Sequence, residues 1–116
     1  DDILMVATAH ASLYHWLQRP DCTDENKSVG FWLLSRVYAV LGNAAEAQRY
    51  AELCHSASTN VSAFCSGYAH EALARAARLS GNTAEAEKHI ALALSFAAAV
   101  TDPEWRKMLE GDVEGV

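Results

Sequence analysis

Prolines number only two in 116 residues and glycines only six, so few positions can break a helix. No alternating apolar and polar run marks a strand, and alanine dominates the apolar half of the composition. Long helices are the expectation. The longest apolar stretch, Ile90 to Val100, is broken by Ser95 and falls short of the ~20 residues that a bilayer requires. No membrane span is expected. Positive charge is scarce as well: nine Lys and Arg stand against fifteen Asp and Glu, a net charge of −6. That balance removes the electrostatic basis for binding nucleic acid. The opening Asp1-Asp2 carries the wrong sign for a secretory leader. Cys22, Cys54 and Cys65 show no C-x-x-C spacing, and their odd number argues for reduced thiols in the cytoplasm. Cys54 and Cys65 read as small buried hydrophobes in helices, whereas Cys22 lies in a polar loop.

What remains is a chain of helical patterns. Residues 2–18 keep Ile3, Val6, Leu13 and Leu17 near helical spacing, and Pro20 with the polar stretch 21–25 ends that helix. A second helix is expected over 24–41, carrying Val29, Trp32, Leu33, Val37 and Val40, and closing on Gly42. Asn43 with Glu46 three residues on resembles a capping box for a third helix, reaching about residue 57. The fourth helix is expected over 61–80, with Gly67 as a weak point, and the fifth from Asn82 to about residue 100. Asp102-Pro103-Glu104 opens a short last helix over 102–110, with Trp105, Met108 and Leu109 as its apolar stripe. Beyond Gly111 the tail has little to pack and is expected to fray.

One echo organises these helices. Gly42-Asn-Ala-Ala-Glu-Ala47 returns as Gly81-Asn-Thr-Ala-Glu-Ala86, an offset of 39 residues, each copy between two apolar helical stretches. A repeat of that length, two helices and a tight turn, indicates a helical solenoid within one domain, with units at 24–57 and 61–100. The first unit offers Phe31, Leu34, Ser35 and Tyr38, then Ala47 and Ala51; the second offers His70, Leu73, Ala74 and Ala77, then Ala86 and Ile90. This pattern resembles the tetratricopeptide repeat. The resemblance implies an all-α fold: antiparallel helix pairs stacked as a short right-handed superhelix, five main helices plus a short C-terminal cap. The stretches Ser35 to Gly42 and Tyr68 to Arg75 are also similar to those of small uncharacterised bacterial proteins.

In that family the first helix of each pair lines the concave surface, which here implies helices two and four. Trp32 and Arg36 are four residues apart, and Tyr68, Glu71, Arg75 and Arg78 keep spacings of three and four, so each set shares a helical face. The 39-residue offset matches Trp32 with Glu71 and Arg36 with Arg75. One reading is a groove for a peptide whose carboxylate the arginines grip in pairs of hydrogen bonds. The plainer reading is an internal network in which Glu71 bridges Arg36 and Arg75. His15, with His10, Tyr14 and Trp16, places polar aromatics on helix one. An alternative function is therefore a small-molecule or catalytic pocket near His15, Trp32 and Arg36.

Other chemistry finds little footing. Glu52-x-x-His55 has the spacing of a helical di-iron ligand pair, but no second copy exists, and Glu85 with His89 stands alone. Cys54 and His55 are consecutive and point about 100° apart on a helix, so they cannot pair for nucleophilic attack. No Gly-rich phosphate loop and no Gly-x-Ser-x-Gly occurs. No metal and no cofactor are expected. The apolar helix five must be covered on more than one side, by the last helix or by a second copy of the chain as a homodimer. The expectation is a non-enzymatic cytoplasmic module that binds an unknown protein or peptide.

Overall fold

The computed structural model describes residues 1–116 as six α-helices and no strand. They are α1 (Asp2–Gln18), α2 (Asp24–Val40), α3 (Ala44–Ser58), α4 (Ala63–Leu79), α5 (Thr83–Ala98) and α6 (Pro103–Glu114). No helix is long and apolar enough to cross a membrane. Each helix packs on the next, and α2, α4 and α6 also touch one another in a row. The molecule is a compact set of packed helix pairs.

The two echoed hinges are built alike. Gly42 and Gly81 alone in the chain have positive φ, at 76° and 77°, a backbone that costs a side-chain-bearing residue strain. Past each glycine, the amides of Asn43 and Asn82 donate to the carbonyls of Tyr38 and Ala77, both at 2.9 Å. The asparagine side chains then accept from the amides of Glu46 and Glu85, both at 3.2 Å. The expected capping box is only half formed, because the Asn43 amide already serves Tyr38. A complete box stands instead at Thr23, whose hydroxyl accepts from Asn26 while the Asn26 side chain accepts from Thr23. Helix α4 starts at Ala63 because Ser62 takes an extended cap and accepts from the Cys65 amide.

Small residues set the spacing of the helices. Ala47, Ala51, Ala69, Ala74, Ala76 and Ala86 are fully buried, so backbones approach closely where they face one another. Ser35 joins them and donates to the Ala47 carbonyl at 2.8 Å. Cys54 and Cys65 are buried free thiols, as their helical positions suggested.

The C-terminal helix departs from expectation. It continues four residues past 110, because Val113 and Leu109 are buried against Ala93, Ala97 and Val100 of α5 and its following turn. Leu109 fits the gap left by Gly67: a β-carbon there would stand 2.4 Å from its side chain. Gly67 is thus a socket for α6 and not a weak point. Trp105 and Met108, by contrast, are half exposed and take no part in that core. Arg106 ties the turn before α6 by donating twice to the Val100 carbonyl, at 3.0 and 2.8 Å.

Candidate functional site

The row α2, α4 and α6 carries two cavities in tandem. The first, of about 250 Å³, is lined by Ser28, Val29 and Trp32 of α2, Phe64, Cys65 and Tyr68 of α4, and Met108 and Asp112 of α6. The second, of about 310 Å³, is lined by Arg36, Ala39 and Val40, then Arg75, Arg78 and Leu79, then Gly115 and Val116. On every helix the second cavity lies toward the C-terminal end of the first. The three helices therefore run in the same direction, and an apolar cavity is followed along them by a basic one. At 1.5 Å per residue, Trp32 and Arg36 are separated along the axis by about 6 Å.

Aromatic edges build the apolar end. Tyr68 meets Trp32 edge-on at 5.3 Å between ring centroids and Phe64 at 5.0 Å, and Phe64 leans on Trp105 at 5.2 Å. The Tyr68 hydroxyl donates to Asp112 at 2.5 Å, which fixes the ring against α6. Burial and the neighbouring Asp112 carboxylate together push the Tyr68 hydroxyl well above its usual titration range, so it stays a neutral donor.

The basic end gathers three of the nine cationic side chains of an acidic protein. Glu71 lies beneath it, fully buried, accepting from Arg75 at 3.1 Å. Burial pushes the Glu71 carboxyl upward, and Arg75 and then Arg36 pull it back. The pairing is incomplete: Glu71 Oε2 and Arg75 Nε have no hydrogen-bond partner. Arg36 and Arg78 form no ion pair at all, so the expected bridge of Glu71 to both Arg36 and Arg75 exists only on the Arg75 side. Arg78 also borders an adjoining cavity lined by Glu110 and Glu114, without forming an ion pair to either.

Of the seven residues singled out in the sequence, six converge here. Trp32 and Tyr68 line the apolar cavity, Arg36, Arg75 and Arg78 the basic one, and Glu71 supports Arg75. His15 does not belong. It is exposed on α1 beside Trp16 and lines neither cavity, because α1 packs on α2 and on Tyr50 of α3 and stands outside the row α2, α4, α6. Trp32 and Arg36 line different cavities, and His15 lines neither. Spacing in the sequence does not by itself place Val29, Phe64, Met108 and Asp112 in the site, although all four line the apolar cavity. Phe64 stands four residues before Tyr68 and Met108 four before Asp112, so helical spacing marked them once α6 was granted as a wall.

The chain matches no family model, no curated protein and no solved structure.

Proposed function

We propose that this chain is a non-enzymatic interaction module that holds a peptide along the α2, α4, α6 row. The peptide places an apolar or aromatic side chain among Val29, Trp32, Phe64, Tyr68 and Met108. An acidic group one or two helical turns further on meets Arg36, Arg75 and Arg78. The observation that carries this reading is the tandem of cavities on one set of helices, apolar and then basic, with two arginines lacking any carboxylate partner. Arginine in such a cavity favours a carboxylate, which it meets in a planar, two-bonded geometry.

The order of packing supports a tetratricopeptide-like stack. In that reading α2 with α3 and α4 with α5 are repeat units, α6 opens a third, and the groove is the concave side. The three free thiols support a reducing compartment such as the cytoplasm.

A displayed library of random peptides, selected on the wild-type chain, tests the reading. Selected peptides are expected to combine an apolar anchor with an acidic group. The variant Arg36→Ala with Arg78→Ala is expected to weaken them at least about tenfold, roughly 1.4 kcal/mol, with unchanged melting. Arg75 is left in place because its loss would strand Glu71. Enrichment indifferent to acidic groups, or equal binding by the double variant, would overturn the proposal.

A further inference from the structure

A second cluster of polar aromatics lies away from the groove, where α3, α4 and α5 meet. His70 of α4 is buried, 7 % exposed. The His55 ring of α3 meets it edge-on at 5.0 Å, His89 of α5 lies nearly parallel at 5.2 Å, and Phe96 of α5 stacks at 5.5 Å. The Nδ1 atoms of His70 and His89 face each other at 3.0 Å.

That contact holds one proton. An N–H···N bond needs a bare nitrogen to accept. His89 Nε2 stands 3.4 Å from the Glu85 carboxylate, so its proton is assigned there, and its Nδ1 is the acceptor for the His70 Nδ1–H. A further proton on His70 enters at its bare Nε2 and keeps that bond, but adds charge to a ring already crowded by His55, His89 and Lys88. A proton on His89 Nδ1 sets two N–H groups head to head, with no acceptor between them. The two rings must then part, and with them the helices that carry them.

The repeat shows that packing alone does not call for imidazoles here. At the 39-residue offset His70 and His89 correspond to Phe31 and Tyr50, which stack at 6.4 Å with 25° between planes. His70 and His89 meet at 22°. The same seam is closed by a phenyl and a phenol ring in one unit and by two imidazoles in the other.

From this geometry we infer that His55, His70 and His89 form an acid-operated release, holding α5 on α4 when neutral and opening that seam when protonated. The groups that bear on His70 are His55 from α3, and His89 and Lys88 from α5; α2 and α6 contribute none. All three acquire or carry positive charge. Glu85 is the one carboxylate at the seam, and it reaches His89 only. Burial, then His55, His89 and Lys88, hold His70 down to about 4 against an ordinary 6.5, and burial lowers His89 too. A histidine kept neutral in the fold binds protons more readily once released, so acid favours release. The seam is fully stable above the unfolded value and weakens as pH falls from there toward the folded one.

The release stands whether or not the groove binds peptide, and it can be followed without a ligand. Amide hydrogen exchange on the intact chain, corrected for the intrinsic effect of pH, reads α5 protection from about pH 7 to about pH 4.5. Wild type is expected to lose protection in α5 by about tenfold or more over that range. His70→Phe, and separately His89→Tyr, copy the rings of the first unit and are expected to flatten that loss. His10→Gln is expected to keep it. Undiminished α5 protection in wild type, or the same acid loss in His70→Phe and His89→Tyr, would overturn the inference. So would failure of both variants to fold, since the imidazoles would then be structural.

Discussion

The two units share a backbone and differ in what fills it. In the first, Ser28, Cys54 and Ser58 make a buried polar knot: Ser28 and Ser58 hydroxyls meet at 2.7 Å, and the Ser58 hydroxyl donates to the Cys54 carbonyl at 2.6 Å. Their counterparts in the second unit are Gly67, Ala93 and Ala97, which form the hollow that Leu109 enters. Similarly Ser35 donates to Ala47 in the first unit, while Ala74 and Ala86 meet there without a bond in the second. Phe31 and Tyr50 face His70 and His89. A hinge and a rhythm of small residues define the repeat, and the cavities between are free to hold polar knots, apolar sockets or titratable rings.

The deepest shared positions should respond alike and most strongly. Leu34→Ala and Leu73→Ala, at equivalent buried sites, are each expected to cost about 2–5 kcal/mol in urea unfolding. A cost confined to one of them would break the equivalence. Gly67→Ala pushes a methyl into Leu109 and is expected to cost about 1–3 kcal/mol and to unseat α6. The serine already present at the equivalent position 28 shows that the backbone there tolerates a side chain, so relief by the pair Gly67→Ala and Leu109→Ala would locate the cost in that contact.

Smaller changes sharpen the contrast between rings. Phe31→His should import acid sensitivity into the first unit, costing about 1 kcal/mol more at about pH 5 than at about pH 7, read from paired unfolding curves. The sign follows from a partly buried imidazole favouring its neutral form; equal costs at both values would contradict it. Ser35→Ala removes one buried bond and should cost about 1 kcal/mol or less, since the second unit lacks that bond altogether. Last, Cys54 should resist thiol reagents in the folded chain while Cys22 reacts. Burial pushes the Cys54 thiol up to about 11, and Cys22 is partly exposed. Reaction of Cys54 at the rate of Cys22, followed by mass spectrometry, would show that the Ser28–Cys54–Ser58 knot opens readily.

Local chemistry was legible in the residues. Gly42-Asn43 and Gly81-Asn82 declare hinges because left-handed glycine and a side-chain cap act within a few positions of chain. The alanines announce close helices for the same kind of reason. Trp32, Arg36, Tyr68, Glu71, Arg75 and Arg78 could be placed on shared faces from spacing alone. His15 could not, because spacing orders residues on a helix without saying which neighbours that helix has.

Periodicity and capping thus determined that this chain forms six helices in echoed pairs and which residues share a side. Only tertiary packing decided that α6 runs to Glu114 and completes both cavities, that Glu71 takes Arg75 and leaves Arg36 unpaired, and that three histidines from separate helices converge. Those outcomes depend on distances between segments far apart along the chain, set by volumes filling one another, and no window of sequence contains them.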